Sequence, residues 1–369
     1  MASLLTLLLK WTRSCPLWAK VFVVVTVASL GVKLLIAPRG PSKNQGIGTR
    51  EWETFPWFQE GGIKNGGFQN ASIEQDALFD DFKLLFVGNS YTSVNDLAGL
   101  TKKIIDSQHD ADINIRSHHP GGQTFRGHVL STAEDYKPPH GSDDSFHPRE
   151  LREWLVTKPL NYNWVILQEQ SQIPGFSGTA HDDLFFVSKG SCYTLNKMVQ
   201  QGIPNAQTMF YMTWGRRAGD DMNRDIYPDF LSHQARLTKG YEQYLEKTST
   251  EQRPTWVAPV GLVYQNIYNS IKERQGIDPG NTTDCLFYQL YMDDGSHPSI
   301  YGSYLAALTM YTSMTGADPR QVQWMPPGVE PEVATQIQQA VAWTVMETVT
   351  MGMNYPWLMD DADPVDQLP

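Results

Sequence analysis

Short apolar runs alternate with stretches of helical spacing along most of the chain. Residues 83–87 (KLLFV) are apolar after Lys83, the pattern of a strand covered on both faces. Runs at 113–116, 164–167 (WVIL), 208–212 (TMFYM) and 255–260 (TWVAPV) predict four more strands. Apolar residues recur at three- and four-residue spacing over 94–108, where Leu97, Leu100, Ile104 and Ile105 share a face. Similar patterns predict helices over 149–156, 183–201, 228–246, 262–274, 298–315 and 330–351. Strand and helix in repeated alternation predict an α/β fold. The expected form is a three-layer α/β/α sandwich around a central, mostly parallel five-stranded sheet.

The amino-terminal pattern is different. Residues 21–37 (VFVVVTVASLGVKLLIA) are apolar except for Lys33 and reach the short end of a membrane-spanning length. Lys10, Arg13 and Lys20 precede them, as in segments whose amino terminus stays in the cytosol. The expectation is a signal anchor over 1–37 that makes a single-pass type II membrane protein with a lumenal, Golgi-facing or extracellular body. A cleaved signal peptide with a secreted product is the alternative, and an organelle-targeting peptide a third. Residues 38–80 read as a stem, 81–352 as one globular domain, and 353–369 as an acidic tail.

Composition sharpens this division. The chain has 369 residues, 41% of them hydrophobic, with 11 Trp, enough apolar material for a large core. Seven basic and no acidic side chains lie in the first fifty residues, so the body is more acidic than the overall −11. Such a body is poorly suited to gripping phosphate backbones, and no nucleic-acid partner is expected. Three cysteines exclude a disulfide-built scaffold. A Cys192–Cys285 disulfide would fit an oxidising lumen; two free core thiols are the alternative. Asn70 and Asn281 head N-glycosylation sequons.

In open parallel sheets, ligands sit beyond the carboxyl ends of the strands. Gly88-Asn89-Ser90 follows the first predicted strand and opens a helix, where free backbone N–H groups could stabilise an oxyanion. Ser90 could equally be a helix cap. Asp294-Gly295-Ser296-His297-Pro298 precedes the helix at 298–315. The Asp-x-x-His spacing lets one loop hold a general base and the carboxylate that orients it. An Asp cap beside a surface His is the bland counterpart.

Together these blocks resemble the SGNH hydrolases, the GDSL-like esterase superfamily, over roughly 82–316. That family carries its nucleophile in a G-D-S or G-N-S block and its acid and base in a late D-x-x-H-P block. The resemblance implies Ser90 as nucleophile, His297 as base and Asp294 as its orienting acid. It implies an oxyanion hole from the Ser90 N–H, a glycine N–H and an amide side chain. Gly121 and Gly122, in His119-Pro120-Gly121-Gly122-Gln123, fit the second block, and His128 completes a G-G-x-x-(apolar)-x-x-H pattern. The third block departs from the usual G-x-N-D: Leu167-Gln168-Glu169-Gln170-Ser171 has no Asn. Glutamine offers the same amide donor with a longer reach, so Gln168 is expected in that role, with Gln170 second. Glu169 should turn away or pair with Arg126, Arg216 or Arg217.

The resemblance implies a serine esterase for small acyl, often acetyl, esters, with a small-molecule or carbohydrate ester as partner and no cofactor. An acyltransferase using the same residues, or a non-catalytic glycan-binding domain on the same fold, are the alternatives. Asn89 and Trp214 are candidates for the substrate cleft, with core packing as the other reading of Trp214. His118, His119 and His128 lack tight metal-ligand spacing, and no metal is expected. The acidic run from Asp220 to Asp225 lacks the Gly and Glu of a calcium loop and reads as a surface loop.

Overall fold

The computed structural model describes residues 82–109, 113–136 and 149–347, all within one compact unit. The expected anchor over 1–37, the stem over 38–80, the acidic tail over 353–369 and Asn70 lie outside the described residues. Among the described residues, no helix is long and apolar enough to cross a membrane.

Five strands form one sheet: β1 (Lys83–Val87), β2 (Asn114–His118), β3 (Trp164–Leu167), β4 (Gln207–Tyr211) and β5 (Trp256–Ala258). Their order is β2-β1-β3-β4-β5, and every pairing is parallel. Strands β1 and β3 match the apolar runs residue for residue, because both lie inside the sheet with helices over each face. Strand β2 begins one residue later than expected and ends at His118. It is an edge strand whose NIRSH sequence is largely half-buried, so it lacks a continuous apolar signal. Strand β5 is only three residues long, with Pro259 closing it.

Two groups of helices cover the sheet. On one side α1 (Leu97–Gln108) packs on α6 (Ile300–Thr315), which also touches α5 (Val260–Gln275) and α7 (Pro331–Ala342). On the other, α2 (Phe125–Ser131) packs on α3 (Asp182–Gly202), and α3 on α4 (Phe230–Thr248). The chain leaves β1 for β2 in one direction along the sheet and β3 for β4 in the other. In open parallel sheets such a reversal places the ligand crevice between the carboxyl ends of β1 and β3.

The registers set the floor of that crevice. Val87 lies opposite both His118 and Leu167, so three strands end at one level. The Gly88 N–H donates to the His118 carbonyl at 2.9 Å, and the Gln168 N–H to the Val87 carbonyl at 2.8 Å. The expected first, second and third blocks therefore leave the sheet side by side.

Two departures from the predicted helices bear on the site. The helix expected over 94–108 is preceded by a separate turn, Ser90–Ser93, and broken at Asn95 and Asp96, both at positive φ (57° and 53°). Asn and Asp adopt such backbone more readily than other non-glycine residues, and side-chain bonds hold it here. Asn95 Nδ2 donates to Ser303 Oγ and the Pro298 carbonyl, and Asp96 caps α1 by accepting the Gly99 N–H. Helix α6 starts after Ser299, whose hydroxyl accepts from the N–H groups of Tyr301 and Gly302. Pro298 is thus left in the preceding loop.

Candidate active site

Ser90 is the first residue of the helical turn Ser90–Ser93, directly beyond β1. The first N–H groups of a helix have no partner within it. Asn89 caps the turn by accepting the Tyr91 N–H on Oδ1 at 3.1 Å, while its Nδ2 donates to the Gln123 carbonyl at 2.9 Å. One side chain thereby ties the Ser90 turn to the second block. Gly88 is required here, because a Cβ would collide with the side chains of Thr92 and Gln168.

The late block forms a tight loop. Gly295 sits at φ +64°, its N–H donates to the Met292 carbonyl, and the Met292 N–H donates to the His297 carbonyl at 2.8 Å. Asp294 Oδ1 accepts the backbone N–H groups of Ser296 and His297, each at 2.9 Å. Its Oδ2 lies 2.6 Å from His297 Nδ1, and His297 Nε2 lies 2.9 Å from Ser90 Oγ. Ser90, His297 and Asp294 are therefore brought into one hydrogen-bonded chain, although 207 residues separate the serine from the histidine. Burial pushes the Asp294 pKa up, but the bonds from the His297 ring and the two N–H groups outweigh it and hold the carboxyl below its ordinary range. With Asp294 ionised, Nδ1 carries the ring proton and Nε2 is free to accept one from the serine.

Gly121 and Gly122 lie on an exposed turn closed by the Gln123 N–H donating to the Pro120 carbonyl. Gly122 has φ +66°, and a Cβ on either glycine would meet nothing within 4 Å.

Several expectations need correction. Gln168 lies beside the nucleophile turn, but its carboxamide serves the framework. Its Oε1 accepts the Asn89 N–H at 3.0 Å and the Thr92 hydroxyl at 2.9 Å, and its Nε2 donates to the Glu169 carbonyl. Gln170 is likewise engaged, donating to Gln172 Oε1 and accepting the Gln172 N–H, both at 2.8 Å. Asn89 is buried and acts as a cap, so it does not line a cleft. Trp214 is fully buried, stacked on Tyr264 with ring centroids 4.6 Å apart, and belongs to the core. Cys192 and Cys285 are both free, each held by nearby backbone carbonyls, so the suggested disulfide is absent.

Glu169 does turn away, but not towards an arginine. It is buried and accepts the N–H groups of Phe125 and Gln170 and the hydroxyl of Ser188. Burial pushes its pKa up to about 7 against these bonds. Arg216 pairs instead with Asp220 at 2.9 Å, and Arg217 lies 3.7 Å over the Tyr288 ring. Asp220 is no surface residue: it is buried and also accepts from Gln172 and Asn223.

Sequence reasoning also missed what His128 does. Its Nε2 donates to the Gly88 carbonyl at 2.9 Å, and burial holds its pKa well below the usual imidazole range. A neutral ring thus braces the backbone two residues before Ser90. Its place at the end of the second-block pattern was the available signal. Among the described residues, no three His, Cys, Asp or Glu side chains are grouped to hold a metal ion.

No family model matches the chain, and no curated protein matches it in sequence. Solved structures do match. A DUF4886 family protein from Bacteroides uniformis is 16% identical, with 71% of this chain and 93% of that chain covered and a TM-score of 0.52. An SGNH-hydrolase candidate from Slackia heliotrinireducens is 20% identical, covering 64% of this chain and 100% of that one, TM-score 0.43. An acetylxylan esterase from Geobacillus stearothermophilus is 12% identical, covering 63% and 92%, TM-score 0.36. At these identities the likeness is one of fold.

Proposed function

We propose that the protein is a serine ester hydrolase that cleaves small acyl, chiefly acetyl, esters. The observation that carries this reading is the chain Ser90 Oγ–His297 Nε2 and His297 Nδ1–Asp294 Oδ2 at the end of β1. Ser90 Oγ attacks the ester carbonyl while His297 Nε2 takes its proton. The tetrahedral oxyanion is held by the Ser90 N–H and by the N–H of Gly122 or Gly121. His297 then gives the proton to the departing alkoxide. Water, activated by the same imidazole, releases the acid and restores Ser90.

The site is open. The side chains of His297 and Asp294 are 33% and 47% exposed, and Gly121 and Gly122 are exposed. That suits a short acyl group on a bulky alcohol such as a carbohydrate. The body's negative charge favours a neutral ester over an acidic one. The further proposal is a body tethered by residues 1–37 in the secretory pathway, or secreted, with Asn70 and Asn281 as glycan acceptors. Asn281 lies exposed on a turn.

The test is turnover of p-nitrophenyl acetate, p-nitrophenyl palmitate and an acetylated oligosaccharide by the full chain beside Ser90→Ala. Acetate release that the variant lacks, with little palmitate cleavage, is expected. Equal rates for wild type and variant would overturn the reading.

A further inference from the structure

Between the two late-block catalytic residues stands Ser296, and all its polar groups are engaged. Its N–H donates to Asp294 Oδ1 at 2.9 Å. Its hydroxyl is hydrogen-bonded to the Tyr91 hydroxyl at 2.7 Å. Its carbonyl accepts the Trp214 indole N–H at 3.1 Å. The partners on the core side form a stack: Tyr91 on Trp214 with centroids 4.8 Å apart, and Trp214 on Tyr264 at 4.6 Å. Tyr91 is next to the nucleophile in sequence, and its ring meets the His297 ring edge-on at 5.3 Å. It is buried.

This arrangement answers a mechanical need. His297 and Asp294 lie on a loop whose outer side is open to solvent, and their partner Ser90 lies on a different element. Each engaged group of Ser296 removes one way for the loop to slide. Because Tyr91 also follows Ser90 directly, one side chain references the base to the nucleophile. Misplacing a reacting group by about 1 Å can cost roughly 10²-fold in rate, so such a reference has catalytic weight.

We infer that Tyr91 and Ser296 are positioning residues: the Tyr91 hydroxyl, through Ser296, fixes the His297 ring and the Asp294 carboxylate relative to Ser90. As a statement about rate this rests on the esterase reading; as a statement about geometry it does not. Neither residue touches the scissile bond. Both act through His297, so their loss should lower kcat and leave KM unchanged.

The experiment compares full-length wild type, Tyr91→Phe, Ser296→Ala and the double variant. Turnover of p-nitrophenyl acetate is one readout. The low-field proton NMR signal of the His297 Nδ1–H bonded to Asp294 is the other, with circular dichroism to verify folding. Each single variant should lose roughly 10- to 10²-fold in kcat at unchanged KM. The double variant should fall no further than the worse single one, because both remove the same bond. The low-field signal should broaden or vanish in all three. Folded variants that keep wild-type kcat and the sharp signal would overturn the inference. Additive losses in the double variant would also overturn it, since the two hydroxyls would then act separately. A wild type without esterase activity, whose low-field signal is nevertheless lost in both variants, would sink the esterase reading and leave the positioning role standing.

Discussion

The side-chain carbonyl of Gln168 accepts the backbone N–H of Asn89 at 3.0 Å, across the gap between β3 and β1. The same oxygen accepts the Thr92 hydroxyl, so the third block clamps the nucleophile turn from behind. A residue expected to donate to an oxyanion instead holds the backbone that carries Ser90.

Gln168→Ala is therefore expected to act on stability. It orphans the buried Asn89 N–H and the Thr92 hydroxyl, at about 1–3 kcal/mol for each group left without a partner. The check is the denaturant midpoint of the variant, which should fall. Lost turnover at an unchanged midpoint would return the oxyanion role to Gln168.

Glu169 predicts a specific pH dependence. Burial raises its folded pKa to about 7 from an ordinary 4.5, so between those values the folded state holds the proton more tightly than the unfolded one. Its contribution to stability is complete at acid pH, declines as pH rises through that window, and is flat above it. Melting temperatures across this range should slope downward for wild type and more weakly for Glu169→Gln. Parallel slopes would contradict the assignment.

Asp220 accepts from Arg216, Gln172 and Asn223 and joins the third block to the loop after β4. Replacing it with Ala leaves Arg216, itself largely buried, without its carboxylate. A loss of about 3 kcal/mol in unfolding free energy is expected, measurable by chemical denaturation. A surface loop of the kind its composition suggests would lose almost nothing.

The two described cysteines should behave as buried thiols. Burial pushes the Cys192 thiol well above its ordinary pKa, which makes it a poor nucleophile. Native protein should react slowly with a thiol reagent at both Cys192 and Cys285, and reductant should leave the melting temperature unchanged. A drop on reduction would mean that the two are bridged.

What the sequence revealed depended on how local the signal was. Strands β1 and β3 were legible because a strand covered on both faces writes an unbroken apolar run. The G-N-S and D-x-x-H blocks were legible because each is a single turn of chain. Helix α2 was missed, being only seven residues long with Gly127 inside it. Two of the three partners of Glu169 come from α2 and α3, at separations of 44 and 19 residues, and no local pattern encodes them. Trp214 follows β4 at the end of the sheet where ligands bind, yet its ring turns into the stack with Tyr91 and Tyr264. Position along the chain fixed its level in the sheet but not its direction.

The proposed role of Ser90, a nucleophile activated by His297 and Asp294, can be tested on the protein itself. The most direct measurement is the rate at which a fluorophosphonate labels the full chain, with the labelled peptide identified by mass spectrometry. Wild type should be labelled at Ser90, Ser90→Ala not at all, and Asp294→Asn slower by a factor on the order of 10³–10⁴ with its fold intact. Labelling elsewhere, or at Ser90 with a rate indifferent to Asp294, would contradict the account.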